Sequence, residues 1–128
     1  MQIYIVEDSP AIRDRLMTML GEVPGTEVAG AAAGATQATR EILASRPEMV
    51  ILDLRLAEGG GFDVLRALHA QAPEIDVYML SNFSADPYRQ LARRLGARGF
   101  FDKTREFGRV REAVAAKAKE RQCKPSSS

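Results

Sequence analysis

Met49-Val50-Ile51-Leu52-Asp53-Leu54-Arg55 is a run of four apolar residues that leads directly into an aspartate. The run follows the breaker Pro47, and its continuous apolar character predicts a strand that is buried on both faces, as in a parallel sheet. In open α/β sheets, ligands bind at the carboxyl ends of the strands. We therefore expect Asp53 to stand at the chemically active edge of the fold.

Four other short apolar runs alternate with segments of helical periodicity. The predicted strands cover residues 3–6, 27–31, 49–52, 77–80 and 99–101. The predicted helices begin near residues 10, 35, 62, 87 and 105 and end at or before residues 21, 47, 73, 96 and 120. This alternation predicts an α/β fold, a doubly wound five-stranded parallel sheet of flavodoxin-like order 2-1-3-4-5. Asp86 is the predicted N-cap of the fourth helix, and Tyr88 is predicted to face the core.

Three carboxylates are predicted to meet at one edge of this sheet. Glu7 and Asp8 follow the first strand and Asp53 follows the third, and the predicted order makes these strands neighbours. Crowded carboxylates raise one another's pKa unless a cation neutralises them. Oxygen ligands with open positions for water and phosphate suit magnesium. The sequence therefore predicts a Mg²⁺ and phosphate site.

A hydroxyl and an ammonium group join the same edge, because Ser81 ends the fourth strand and Lys103 follows the fifth. A carboxylate nucleophile such as Asp53 can attack phosphorus, while a metal ion and a lysine neutralise the phosphoryl oxygens. Each group also has a structural interpretation. A serine such as Ser81 is also typical of a loop cap, and a lysine such as Lys103 is typical of a solvated surface. Acidic residues such as Glu7 and Asp8 are stabilising near a helix N-terminus. The coincidence of all of them at strand ends favours the phosphoryl-transfer interpretation.

Composition predicts one ordinary globular domain. The chain has 128 residues, a formal net charge of +1 and a single cysteine, Cys123. This charge gives no field that would drive nucleic-acid binding, and no apolar segment reaches the length of a membrane span. We expect a cytoplasmic protein with its domain in residues 1–120 and a polar tail or linker start in residues 121–128.

His69 is predicted at the rim of a packed helix face, with no phosphodonor role.

Glu7-Asp8, Asp53, Ser81 and Lys103, at these spacings, resemble the receiver domains of response regulators in two-component signalling. The resemblance covers about residues 2–120. It implies that Asp53 accepts a phosphoryl group from a phosphohistidine on a sensor histidine kinase or a histidine phosphotransfer protein.

The resemblance also implies a role for each residue of the site. Asp8, Asp53 and the backbone carbonyl of Arg55 would bind Mg²⁺ directly, and Glu7 would act through water. The residues that would hold the phosphoryl oxygens are Lys103, Ser81 and the backbone N–H of Asn82. Ser81 and Phe100 would form the switch, with core packing as the alternative role of Phe100. Phosphorylation would bias a two-state equilibrium and change the surface formed by the fourth helix, fifth strand and fifth helix.

Several residues depart from the family pattern. Ala57 replaces a usual proline, so the following glycine run is expected to be flexible and less constrained. Thr104 replaces another proline, which predicts a trans peptide after Lys103. Asn82 replaces an alanine, and its side chain is expected to narrow the phosphate entrance. Arg55 and Phe83 occupy positions that tune dephosphorylation in the family, and their bulk predicts a slowly hydrolysed acyl phosphate.

The sequence leaves several functions open. One is a phosphorylation-controlled switch that binds a downstream protein; another is the receiver half of a longer transcriptional regulator with a DNA-binding effector. A non-phosphorylated pseudo-receiver and a turnover phosphatase are further alternatives, and the latter lacks a separate general acid. We favour a signalling receiver that is not an enzyme beyond self-catalysed phosphotransfer and autodephosphorylation, with no membrane or direct nucleic-acid partner. The sequence leaves monomer and homodimer open.

Overall fold

Five short strands form one parallel sheet, and a helix joins each strand to the next. The computed structural model describes residues 1–123, with side chains to residue 121. The strands are β1 (Gln2–Val6), β2 (Glu27–Ala32), β3 (Met49–Leu52), β4 (Asp76–Ser81) and β5 (Gly99–Asp102). The helices are α1 (Pro10–Gly21), α2 (Ala35–Ser45), α3 (Gly61–Gln71), α4 (Asp86–Arg94) and α5 (Phe107–Cys123). No helix in residues 1–123 combines the length and apolar character needed to cross a membrane.

The strand order is β2-β1-β3-β4-β5, which confirms the predicted doubly wound topology. β1 and β3 are parallel neighbours, and their register pairs Val6 with Leu52. The next residues along each strand, Glu7 and Asp53, therefore leave the sheet side by side. β4 and β5 pair Ser81 with Asp102, so the residues after them reach the same edge.

The sheet buries a separate apolar layer on each face. One layer joins alternate strand residues to α2, α3 and part of α4, and the other joins the remaining strand residues to α1 and α5. All four residues of β3 are at most 2% exposed, which confirms the prediction of a strand buried on both faces. Burial of each large aliphatic side chain contributes about 1.5–3 kcal/mol, so β3 anchors the fold.

The helix starts confirm one predicted cap and correct another. Ser9 caps α1, because its side-chain oxygen accepts a hydrogen bond from the N–H of Ile12 at 3.3 Å. In α4 the N-cap is Ala85, and Asp86 lies inside the first turn. The prediction of Asp86 as N-cap was wrong by one residue, because Pro87 fits any position in the first turn, where no N–H is needed.

The last helix is displaced towards the C-terminus from its predicted range. It begins at Phe107, because the carboxylate of Asp102 accepts hydrogen bonds from the N–H groups of Thr104 and Arg105 and holds them in a turn. It continues to Cys123, beyond the predicted end at residue 120.

Within the added turn, the guanidinium of Arg121 lies 3.4 Å from a carboxylate oxygen of Glu48, the residue before β3. Residues 121–123 are helical, although we expected them in the polar tail. The rest of the predicted tail, residues 124–128, lies outside the described residues.

Candidate phosphoryl-transfer site

Two carboxylates and one ammonium group form the floor of the site, which we define as Glu7, Asp53 and Lys103. The ammonium nitrogen of Lys103 lies 2.9 Å from Asp53 Oδ2 and 2.9 Å from Glu7 Oε1. The side chain of Lys103 is 12% exposed, that of Asp53 is 6% exposed and that of Glu7 is 1% exposed. Buried charges are stable only when they are paired, and Lys103 pairs with both carboxylates.

The groups of the floor differ in how firmly they hold their charge at neutral pH. Burial raises the pKa of Glu7 to about 7, against the lowering effect of Lys103 and of the Ser9 N–H that donates to Glu7 at 3.0 Å. Burial alone would lower the pKa of Lys103, but hydrogen bonds to Asp53 and Glu7 outweigh it and raise that pKa. Lys103 therefore stays charged at neutral pH, whereas Glu7 titrates there.

The predicted carboxylate cluster is present and has the donor chemistry for a hard cation. One carboxylate oxygen from each of Glu7, Asp8 and Asp53 lies within 4.8 Å of the others. Asp8 is exposed to solvent, whereas the other two are buried. Oxygen donors at an open edge fit Mg²⁺, which keeps several water ligands.

Ser81 and Asn82 stand at the end of β4 in contrasting surroundings. Ser81 is fully buried, and its Oγ accepts a hydrogen bond from the N–H of Phe83 at 3.0 Å. Asn82 is exposed, and its Oδ1 accepts a hydrogen bond from Thr104 Oγ1 at 3.2 Å. The Asn82 side chain is thus held by the loop after β5.

An aromatic and cationic stack, which we call the rim, consists of Arg55, Phe83 and Tyr88. The guanidinium carbon of Arg55 lies 4.7 Å from the centre of the Phe83 ring, and Tyr88 meets that ring edge-on at 5.9 Å. Tyr88 is 40% exposed, so the prediction that it faces the core was wrong. Tyr88 instead contacts Phe83 in the loop that leads into α4, and helical periodicity does not indicate such a contact.

The loop after β3 is anchored rather than free, which corrects the prediction of a less constrained loop. The N–H of Ala57 donates to the carbonyl of Ala33 at 2.9 Å, and the N–H of Ala35 donates to the carbonyl of Glu58 at 2.8 Å. The Glu58 carboxylate accepts from the N–H and the hydroxyl of Thr36 at 2.9 and 3.0 Å. Glu58 therefore caps α2 from a loop 22 residues away, a role that no local motif signals.

Two glycines of this loop, which comprises residues 57–61, are required by close packing, and one of the two is also required by its conformation. Gly59 has a φ of 71°, and a Cβ there would lie 2.6 Å from the Cβ of Ala35. A Cβ on Gly61 would lie 2.2 Å from the carbonyl oxygen of Asp53. We call residues 57–61 the glycine loop. Its glycines allow close approach of the chain, so their presence does not indicate mobility.

Phe100 and His69 lie outside the floor. Phe100 is half-buried, its carbonyl accepts a hydrogen bond from Arg89 at 3.0 Å, and the Arg89 guanidinium carbon lies 5.1 Å from the centre of its ring. His69 is exposed and lies against Gly96. The peptide after Lys103 is trans, as predicted, because residues 1–123 contain no cis peptide bond.

Comparison with known proteins identifies the family. Residues 3–115 match the response regulator receiver domain, so the chain belongs to this family of two-component signalling domains. The DNA-binding transcriptional activator DevR/DosR of Mycobacterium tuberculosis is 29% identical over 99 residues, which cover 77% of this chain and 46% of that protein. Protein-glutamate methylesterase/protein-glutamine glutaminase 6 of Anaeromyxobacter dehalogenans is 37% identical over 121 residues, which cover 91% of this chain and 34% of that protein.

A solved structure supports the same fold. The signal receiver domain of the putative response regulator NarL from Mycobacterium tuberculosis superposes with a TM-score of 0.84 at 24% identity. The match covers 92% of this chain and 95% of that domain. The chain spans less than half the length of the two curated relatives described above.

Proposed function

We propose that this receiver domain is a phosphorylation-dependent switch in which Asp53 accepts a phosphoryl group from a phosphohistidine. The observation that carries the proposal is the floor: a buried carboxylate held by Lys103 beside Glu7, with Asp8 at the same edge. A carboxylate oxygen of Asp53 forms a bond to phosphorus as the phosphorus–nitrogen bond breaks. The electron pair returns to the imidazole, which takes up a proton. The phosphodonor is a sensor histidine kinase or a histidine phosphotransfer protein.

Each residue of the floor has a role in this transfer. Asp8, Asp53 and the carbonyl of Arg55 would hold Mg²⁺, with Glu7 acting through water. Mg²⁺, when bound, neutralises charge on the phosphoryl oxygens. Lys103 already lies 2.9 Å from the carboxylate that would carry the phosphoryl group, so its ammonium can bind a phosphoryl oxygen without a large displacement.

The switch would use Ser81 and Phe100. Ser81 Oγ now accepts from the Phe83 N–H, and we propose that it moves to donate to a phosphoryl oxygen, together with the backbone N–H of Asn82. Phe100 would turn inward at the same time and change the surface of α4, β5 and α5, where a downstream protein binds. The phosphoryl group biases this equilibrium because it contacts the hydroxyl in one state only.

The decisive test is incubation with Mg²⁺ and acetyl phosphate, followed by intact mass. The parent is expected to gain one phosphate, and Asp53→Asn is expected to gain none, because the amide is not a nucleophile. Equal labelling of parent and variant would contradict the assignment. No labelling of either would favour the pseudo-receiver alternative.

The rim would tune the lifetime of the acyl phosphate. Arg55 and Phe83 stack on one another beside the strand end that carries Asp53 and would shield the phosphoryl group from water. The half-life of the phosphorylated protein is expected to shorten in Phe83→Ala. The control is Met17→Ala, which removes an exposed apolar side chain from α1, outside the rim. A half-life in Phe83→Ala no shorter than in the parent would count against this role.

A second candidate is the receiver part of a longer regulator. It is favoured by the relatives, which are more than twice as long as the matched region and include a DNA-binding transcriptional activator. In that case residues 1–123, which end with α5, form the receiver, and a linker begins after them. Sequencing the gene beyond the codon for Ser128 tests this: a stop codon directly after it would contradict the longer regulator.

A further inference from the structure

Charge is divided unevenly along the chain, although the total is only +1. Residues 1–85 carry six Lys and Arg against twelve Asp and Glu, whereas residues 86–123 carry eleven against five. The second group contains α4, β5 and α5. The positive charge is therefore concentrated on the elements that form the proposed output surface.

Five arginines line two adjoining clefts on these elements, and we call them the arginine face. They are Arg89, Arg93, Arg98, Arg105 and Arg109. The first cleft, of about 170 Å³, lies between α4 and β5, and the second, of about 480 Å³, lies between the start of α4 and the start of α5. Arg89 lines both clefts, so the positive surface is continuous.

The two carboxylates of the second cleft are occupied by contacts within the chain. Asp102 accepts hydrogen bonds from the Ser84 hydroxyl and from two backbone N–H groups, which hold its pKa below the usual value. Glu106 accepts from the backbone N–H of Asp102 and pairs with Arg89 and Arg109, which likewise lower its pKa. These carboxylates organise the face and offset only part of its charge, because two negative charges stand against five arginines.

Two members of the arginine face have donors to spare. Arg89 and Arg109 pair with Glu106, and Arg98 pairs with Asp76. Arg93 and Arg105 are exposed, and neither forms an ion pair in the part of the chain that the structure describes. An arginine fork recognises a carboxylate through two parallel hydrogen bonds.

The arginine face is also connected to the switch. Arg89 donates to the carbonyl of Ser84 at 2.7 Å and to the carbonyl of Phe100 at 3.0 Å. Its guanidinium also lies over the Phe100 ring. A rotation of Phe100 would therefore change the position of the arginine that the two clefts share.

We propose that the arginine face binds an acidic segment of the downstream protein partner, with Arg93 and Arg105 as carboxylate anchors. The inference rests on the proposed function, since it names the chemistry of the partner at the proposed output surface. The two clefts adjoin each other, and the carboxylates of a short acidic segment would complement their arginine forks. Residues 1–85 carry an excess of six negative charges, which disfavours a long polyanion such as duplex DNA. Charge complementarity at such a surface governs partner choice and association rate.

The test measures binding of a short fluorescent peptide of alternating glutamate and serine to the full chain, before and after acetyl phosphate treatment. The expected result is saturable binding that salt weakens and that a glutamine-for-glutamate peptide lacks. Arg93→Glu and Arg105→Glu are each expected to weaken binding several-fold, and the double variant about tenfold or more, because each reverses a charge contact. The matched control is Arg40→Glu, an equal change of charge at an exposed position on α2.

Several results would overturn the proposal. They are absence of saturable binding, equal binding of the glutamine peptide, an equal loss in Arg40→Glu, and tighter binding of a short DNA duplex than of the glutamate peptide. Intact mass reports phosphorylation of Asp53 in the same samples. If the chain binds the peptide but takes up no phosphate, the proposed switch has failed and the proposal for the arginine face has not.

Discussion

The floor of the site and the glycine loop beside it are held in place in different ways. In the floor, buried Glu7 and Asp53 are held through charge by one residue, Lys103. In the glycine loop, backbone hydrogen bonds and close contacts with α2 and β3 fix the chain, with Glu58 as the anchoring side chain. The chemistry of the site therefore depends on charge balance, while its shape depends on close contacts between segments distant in sequence.

The largest expected effect tests the floor. Lys103→Met leaves Glu7 and Asp53 buried without their cation, and at pH 8 without Mg²⁺ the free energy of unfolding is expected to fall by about 3–5 kcal/mol. Urea denaturation measures this, and Mg²⁺ should recover part of the loss. The control Arg109→Met breaks an exposed ion pair and should change stability by less than about 1 kcal/mol. Equal losses in the two variants would show that the floor is not held by charge.

The next effect tests the glycine loop. Gly61→Ala places a Cβ 2.2 Å from the backbone carbonyl oxygen of Asp53, so the chain must shift, and we expect a loss of about 3 kcal/mol in urea denaturation. Gly108→Ala is the matched control, because nothing lies within 4 Å of its Cβ and it belongs to α5. It should stabilise the protein by about 0.5 kcal/mol through helix propensity. A neutral Gly61→Ala would mean that the loop is free to move.

A third prediction concerns the pH dependence of the floor without metal. Because the pKa of Glu7 is raised from 4.5 to about 7, its protonated form is favoured in the folded state. The stability this contributes is present below pH 4.5 and is lost as pH rises through 7. Relative to the parent, Glu7→Gln should therefore gain about 2 kcal/mol between pH 5 and pH 8 in the presence of a chelator.

Urea denaturation of both proteins at the two pH values measures this gain. Asp14→Asn, which removes one exposed carboxylate outside the floor, serves as the control for the loss of a negative charge. A constant offset between Glu7→Gln and the parent, or an equal gain in Asp14→Asn, would contradict the raised pKa of Glu7.

The smallest effect tests the anchor of the glycine loop. Glu58→Gln removes a negative charge from the N-terminus of α2 and weakens the hydrogen bonds with Thr36, so a loss of about 1 kcal/mol is expected. Glu74→Gln, which breaks an exposed pair with Arg46, should cost less than about 0.5 kcal/mol. Thermal unfolding of both variants distinguishes them. Equal melting temperatures would show that Glu58 does not anchor the glycine loop.

Prediction from sequence succeeded where a local pattern reports a local structure. The apolar run before Asp53 and the alternation of strands and helices gave the sheet, its order and the convergence of Glu7, Asp8 and Asp53. It failed at the glycine loop, because the contact of Glu58 with Thr36 joins segments that are distant in sequence. It failed at Tyr88 and at the cap of α4 for local reasons: Tyr88 contacts the ring of Phe83 in the loop before its own helix, and a proline fits any position in the first turn.

Local patterns in the sequence were enough to derive the class of fold and the side chains that reach the active edge, because strand burial and the ends of apolar runs are properties of consecutive residues. Folding was needed to show that Lys103 bridges Glu7 and Asp53, that Glu58 secures the glycine loop, and that five arginines form one surface. These arrangements join residues from separate elements. Their energies depend on distances and burial that exist only once the chain has folded.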